Sequence, residues 1–90
     1  EDLIYNPMTK EIFKDNIALR LPIKVLELFE LLYANRSKVV SKEQIIDKLW
    51  GIDEQYSEGS IRVYINKIKQ LLNQNSVENI KGVGYKLNIQ

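Results

Sequence analysis

Ninety residues make a single small domain, 1–90, with a modest core and little to spare. A hydrophobic fraction of 44% and an aromatic fraction of 9% belong to a folded chain, and the lack of cysteine and histidine removes disulfides, thiolate metal sites and the commonest general base together. The net charge is only +1, but it is sorted: residues 1–57 carry eight Lys/Arg against ten Asp/Glu, and residues 58–90 carry five against two.

The first 21 residues read as short strands, Leu3–Tyr5, Glu11–Phe13 and Ile17-Ala18-Leu19, turning at Asn6-Pro7 and Asp15-Asn16. Pro22 suits the first turn of a helix running to about Asn35. In that helix Lys24, Glu27 and Glu30 make a narrow polar stripe, while Ile23, Leu26, Leu28, Phe29, Leu31 and Leu32 cover most of the rest, as a central core element requires. The apolar run around Leu26–Ala34 is broken by Glu27 and Glu30 and is too short to span a membrane. With no basic start at Glu1-Asp2, no signal peptide is read and cytoplasmic residence is expected.

Ser41 and Gln44 form a capping box that opens a second helix presenting Ile45, Ile46 and Leu49. That helix ends at Trp50, with Gly51 placed to terminate it. After the acidic loop Ile52–Ser57, Ser57 is expected to cap a third helix running from about 58 to 72. Along it, Ile61, Tyr64, Ile65, Ile68, Leu71 and Leu72 fall on one side, and Arg62, Asn66, Lys67, Lys69 and Gln70 on the other. Val63 sits in the polar arc, costly on a merely solvated face but useful against a thymine methyl. After the polar turn Asn73–Ser76, Val77–Lys81 and Tyr85–Ile89 alternate as a hairpin around Gly82-Val83-Gly84. A dinucleotide loop would need a third glycine and a following helix, and neither follows this Gly-x-Gly. The order of elements is that of an α+β winged helix-turn-helix: an N-terminal antiparallel sheet, three helices and a C-terminal β-hairpin wing. One element suits a major groove, and the glycine-tipped basic hairpin suits the adjacent minor groove or backbone.

The run Val63–Lys69, followed by Ile80-Lys81-Gly82-Val83-Gly84-Tyr85-Lys86, closely resembles the C-terminal effector domain of OmpR/PhoB-type response regulators. That family carries an apolar-x-Ile-x-basic-Leu-basic recognition helix and a Thr-Val-Arg-Gly-x-Gly-Tyr wing. Upstream, Val39–Ile46 and Leu49-Trp50-Gly51 match its Val-x-Ser-Arg-Glu-x-Leu and Val-Trp-Gly signatures in order and spacing. The resemblance implies DNA contacts at Val63, Tyr64, Asn66, Lys67 and Lys69, with Arg62 beside them. In the wing it implies a role for Asn79 (usually a backbone-binding threonine), Lys81 (usually arginine in the minor groove), Tyr85 and Lys86. Glu43, Trp50, Gly51 and Glu58 match positions that touch RNA polymerase in some members. Asn66 and Gly59 stand where the family often has arginine, and Pro22 and Val25 where it has a capping threonine and an acid.

The resemblance further implies an N-terminal receiver domain phosphorylated on aspartate by a sensor kinase, and head-to-tail pairing on direct-repeat DNA. The isolated domain is expected to be a monomer without cofactor or metal. Alternatives are a protein-interaction module engaging polymerase or a partner domain, and the DNA-binding head of a membrane-anchored ToxR-like activator. An enzyme would need a carboxylate pair beside an apolar pocket, and none is legible.

Overall fold

The computed structural model describes residues 3–51 and 54–88. Three short strands, β1 (Leu3–Asn6), β2 (Glu11–Lys14) and β3 (Ile17–Leu19), form an antiparallel sheet in that order, with Tyr5, Ile12 and Leu19 in register across one face. Both turns are built by polar side chains that tolerate or stabilise left-handed backbone. Asn6 Oδ1 accepts from the amides of Met8 and Thr9 at 2.9 and 3.4 Å. Asp15 and Asn16 both have positive φ, 51° and 67°, which gives the twist a two-residue hairpin needs.

Helix α1 (Ile23–Ala34) buries Val25, Leu28, Phe29 and Leu32 and packs on every other helix. Pro22 takes the cap position, with φ −55° and ψ 151°, rather than the first turn. Ile23, read as part of the apolar cover, is instead 73% exposed, because at about 100° per residue it falls on the side of α1 opposite Val25, Leu28, Phe29 and Leu32. The polar stripe is half-buried and tethered: Tyr5 Oη and Lys10 Nζ both donate to Glu30 Oε2, at 2.6 and 2.7 Å.

Strand β4 (Val39–Ser41) runs directly into α2 (Lys42–Leu49). The capping box is present: the Gln44 amide donates to Ser41 Oγ at 3.1 Å and the Ser41 amide to Gln44 Oε1 at 2.9 Å. The far end departs from expectation. Trp50 caps it with extended backbone, φ −119°, Gly51 takes no left-handed φ, and the terminal Leu49 carbonyl accepts from Lys24 Nζ, while the Gly51 amide donates onward to Glu54 Oε1 at 2.8 Å. Helix α3 (Glu58–Leu71) follows; Ser57 takes its cap position, but its hydroxyl makes no capping bond. At the other end Lys14 Nζ donates to the Leu71 and Leu72 carbonyls, placing a cation at the negative end of the helix. Ile52 and Asp53 of the acidic loop, the Glu58 side chain and Ile89 lie outside the described residues.

Strands β5 (Val77–Ile80) and β6 (Gly84–Leu87) form the hairpin. The sequence points to a hairpin alone. The structure adds β4 as a third strand, in the order β4-β6-β5, with Val40 opposite Tyr85 and Ser41 opposite Gly84. Three residues abutting a helix are too few for a period-2 pattern to declare itself.

Tyr5 meets Phe29 and Tyr33 edge-on at 5.4 and 5.0 Å between ring centroids, holding the N-terminal sheet to α1. Burial, then the hydrogen bond to the Glu30 carboxylate, push the Tyr5 hydroxyl up to about 12. Burial raises the Glu30 carboxyl, but the bonds from Lys10 and Tyr5 outweigh it and leave the group below its ordinary value. Tyr5 therefore stabilises the fold fully below the ordinary tyrosine range. That contribution is lost as pH rises through about 12, because the unfolded chain ionises first. Thermal denaturation in steps from pH 9 to 12 should show a shallower decline for Tyr5→Phe than for the wild type, whereas parallel curves would remove Tyr5 from the alkaline transition.

Candidate nucleic-acid interface

Helix α3 buries Ile61, Ile65 and Ile68, and its cap residue Leu72 is buried with them. This single buried stripe leaves Arg62, Val63, Asn66, Lys67 and Gln70 on the opposite, exposed face. Val63 is 63% exposed, so the apolar residue amid the donors points outward as its position in the sequence suggests. Lys69 is half-buried at the border of the two faces. Tyr64 is also half-buried: its ring stacks on Trp50 at 6.3 Å and 21°, and Tyr56 meets Trp50 edge-on at 5.2 Å. Much of the Tyr64 ring is spent on packing, which leaves its hydroxyl as the part suited to contact. Lys24 ties the same loop down, donating to the Leu49 carbonyl, pairing with Glu54 at 3.4 Å and lying 5.7 Å from the Trp50 ring centroid. The backbone bond from Gly51, then the Lys24 charge, lower the exposed Glu54 carboxyl below its ordinary value.

The wing tip is held by backbone hydrogen bonds on both sides. The Val83 amide donates to the Ile80 carbonyl at 2.9 Å, and Gly82 has φ +78°, the left-handed backbone required at the third position of a type II turn. The Lys42 amide donates to the Val83 carbonyl at 3.2 Å, pinning the tip to the start of α2. Gly84 lies so close to β4 that a Cβ there would sit 1.9 Å from the Val40 carbonyl oxygen.

Between α2, α3 and the wing lies an open cleft of about 470 Å³, lined by Lys42, Glu43, Ile46, Ile61, Arg62 and residues 79–85. It brings Arg62, Asn79, Lys81 and Tyr85 to one place, as a groove-spanning surface requires. Lys86 is different: paired with Val39 and Glu78 in register, it stands on the opposite sheet face from Asn79 and Tyr85 and does not line the cleft. Lys42 also lines the cleft, although a lysine directly after an N-cap carries no local signal of such a role. Glu43, matched above to a polymerase-touching position, also lines the cleft, whereas Trp50 and Gly51 lie at the far end of α2. Three cations and one acid give the concavity a positive balance suited to a phosphate backbone.

The sequence matches the family model for the C-terminal domain of transcriptional regulatory proteins over residues 16–87. It is 31% identical over 90 residues to the heme response regulator HssR of Staphylococcus aureus (strain JH9), a match covering 96% of this chain and 40% of that protein. The chain thus spans about two fifths of the length of the curated relatives it matches. The DNA-binding domain of Bacillus subtilis CssR superposes with a TM-score of 0.81 at 22% identity, covering 97% of this chain and all of that one. The OmpR/PhoB homologue DrrB of Thermotoga maritima gives 0.84 at 23% identity, over 99% of this chain and 42% of that one. The AdeR DNA-binding domain, solved in complex with an intercistronic region, gives 0.80 at 17% identity, over 100% and 97% of the two chains. These structural likenesses establish the winged helix fold. Among the described residues no helix is long and apolar enough to cross a membrane.

Proposed function

This chain belongs to the family of C-terminal, DNA-binding domains of transcriptional regulatory proteins of the response-regulator type, and we propose that it reads a short half-site of duplex DNA with α3 in the major groove and the wing at the adjacent minor groove. The observation that carries this reading is the cleft where Arg62 of α3 and Lys81 of the wing converge, beside an α3 face that exposes Val63, Asn66 and Lys67. Phosphate contacts from Lys42, Lys69 and Lys81 supply affinity, and base-edge contacts from Arg62, Val63, Asn66 and Lys67 supply sequence discrimination. Asn79 and Tyr85 orient the wing on the backbone. Lys86, on the outer sheet face, approaches DNA only where the duplex bends around the wing. The domain acts by binding, not catalysis, on the cytoplasmic side where chromosomal DNA lies.

Relatives more than twice as long support a receiver domain joined to this one and addressed by a sensor kinase. Trp50 and Gly51, on the loop that Lys24 and Glu54 hold, are the residues through which the domain would meet RNA polymerase.

Lys81→Ala tests the wing. It should leave thermal stability unchanged, since Lys81 is exposed on a turn, and reduce the slope of log affinity against log salt by about one counterion between roughly 50 and 200 mM. An unchanged slope would take the wing out of the interface. The isolated domain is expected to be a monomer that binds one half-site at roughly micromolar affinity or weaker at physiological salt. Its net charge of +1 attracts DNA weakly, and Asn66 and Gly59 supply no charged contact. Strong binding then depends on pairing, which raises the effective concentration at the second half-site. Titration of a single-half-site duplex in 150 mM salt checks this, and a nanomolar complex would refute it.

A further inference from the structure

We propose that Val83 is a shape reader, selecting A/T-rich duplex with a narrow minor groove beside the half-site. The inference rests on the wing reading above and names the DNA that the wing prefers. Val83 is 52% exposed although its backbone is held on both sides, by the amide bond to Ile80 and the carbonyl bond from Lys42. Gly82 and the close approach of Gly84 to Val40 fix the turn on either flank, so the isopropyl group cannot retreat from solvent. A β-branched side chain on a fixed backbone also has little rotamer freedom left to lose on contact.

Lys81, two residues away on the same tip, supplies charge but little width selection, because its ammonium holds its water strongly. An apolar group gains most where the C–H walls of facing deoxyriboses stand close together, as they do in stiff A·T tracts. This contact releases no counterions, so it is separable from the phosphate contacts by its salt behaviour.

The test uses wild type, Val83→Thr and Val83→Ala, with Lys67→Ala as a control for α3. The probes are duplexes selected by the wild type from a random pool, remade with three base pairs under the wing as A·T, I·C or G·C. Inosine·cytosine keeps the minor-groove edge of A·T while changing the major groove. Wild type should bind the A·T and I·C duplexes roughly fivefold tighter than the G·C duplex. Both Val83 variants should reduce that preference to less than about twofold, with melting temperature and salt slope unaltered. If the variants keep the wild-type preference while Lys67→Ala weakens binding, Val83 is not a reader and this inference alone falls, leaving the wing reading to the Lys81→Ala test. If Lys67→Ala binds every duplex as tightly as the wild type, the reading of α3 falls and takes this inference with it.

Discussion

Gly84→Ala should lower the stability of the domain by about 3 kcal/mol, which corresponds to a fall in melting temperature of roughly 12–24 °C. A Cβ at this position would lie 1.9 Å from the Val40 carbonyl oxygen, 2.8 Å from its carbon and 2.9 Å from the Ser41 Cα, so it meets backbone that no side-chain rotation can clear. Relief requires β6 to move away from β4, and that breaks the pairing of Ser41 with Gly84 and Val40 with Tyr85. Val40 and Leu87, both fully buried, would lose packing as the strands part. Function should fall with the fold, because β4 leads straight into the capping box of α2 and β6 carries Tyr85 of the wing. Gly59→Ala is the control: a Cβ there meets nothing within 4 Å, and replacing a helical glycine should stabilise by up to about 1 kcal/mol. Differential scanning calorimetry of the two variants decides the matter. A Gly84→Ala domain melting within a degree or two of wild type would mean that the β4–β6 approach is looser than described.

The double substitution Arg62→Ala/Lys67→Ala should weaken specific duplex binding by about 2–6 kcal/mol, from two base-edge contacts worth about 1–3 kcal/mol each. Both side chains are on the exposed face of α3, and neither supports the core, so the melting temperature should hold. The decisive comparison is between specific and random duplexes. Loss of discrimination, seen as near-equal binding to both, identifies the pair as base readers. An equal loss on both duplexes would reduce them to phosphate contacts and move readout to Val63 and Asn66. Lys67→Ala alone should relax preference at one operator position, which a base-substitution series would reveal.

The features legible from the amino acids are those whose causes lie within a few residues of one another. The Ser41/Gln44 capping box, the Asp15-Asn16 turn and the split of α3 into a buried and a donor-rich face each follow from local geometry and periodicity, and each is present. The α3 face also placed most of the candidate contact residues, since a helix with Ile61, Ile65 and Ile68 buried has only one way to point Arg62, Val63 and Lys67.

What escaped depends on chain segments far apart in sequence. Gly84 reads as one of two turn glycines, yet Gly82 alone uses a left-handed backbone, and Gly84 is demanded by a strand more than forty residues upstream. The same distance hides β4, the third strand that turns a hairpin into a sheet. Lys14 closing α3, Trp50 stacking on Tyr64 and Lys42 lining the cleft with Lys81 are contacts between elements, invisible to any periodicity within one. The resemblance groups Lys86 with the wing, but strand alternation sends it to the face opposite Tyr85. Apart from β4, the sequence by itself determined the elements, their order and the face that α3 offers, because side-chain pattern and capping act over one or two turns. Only the tertiary structure decided which cations share a cleft and which glycine is irreplaceable, because those depend on how closely separate backbones approach when the core is filled.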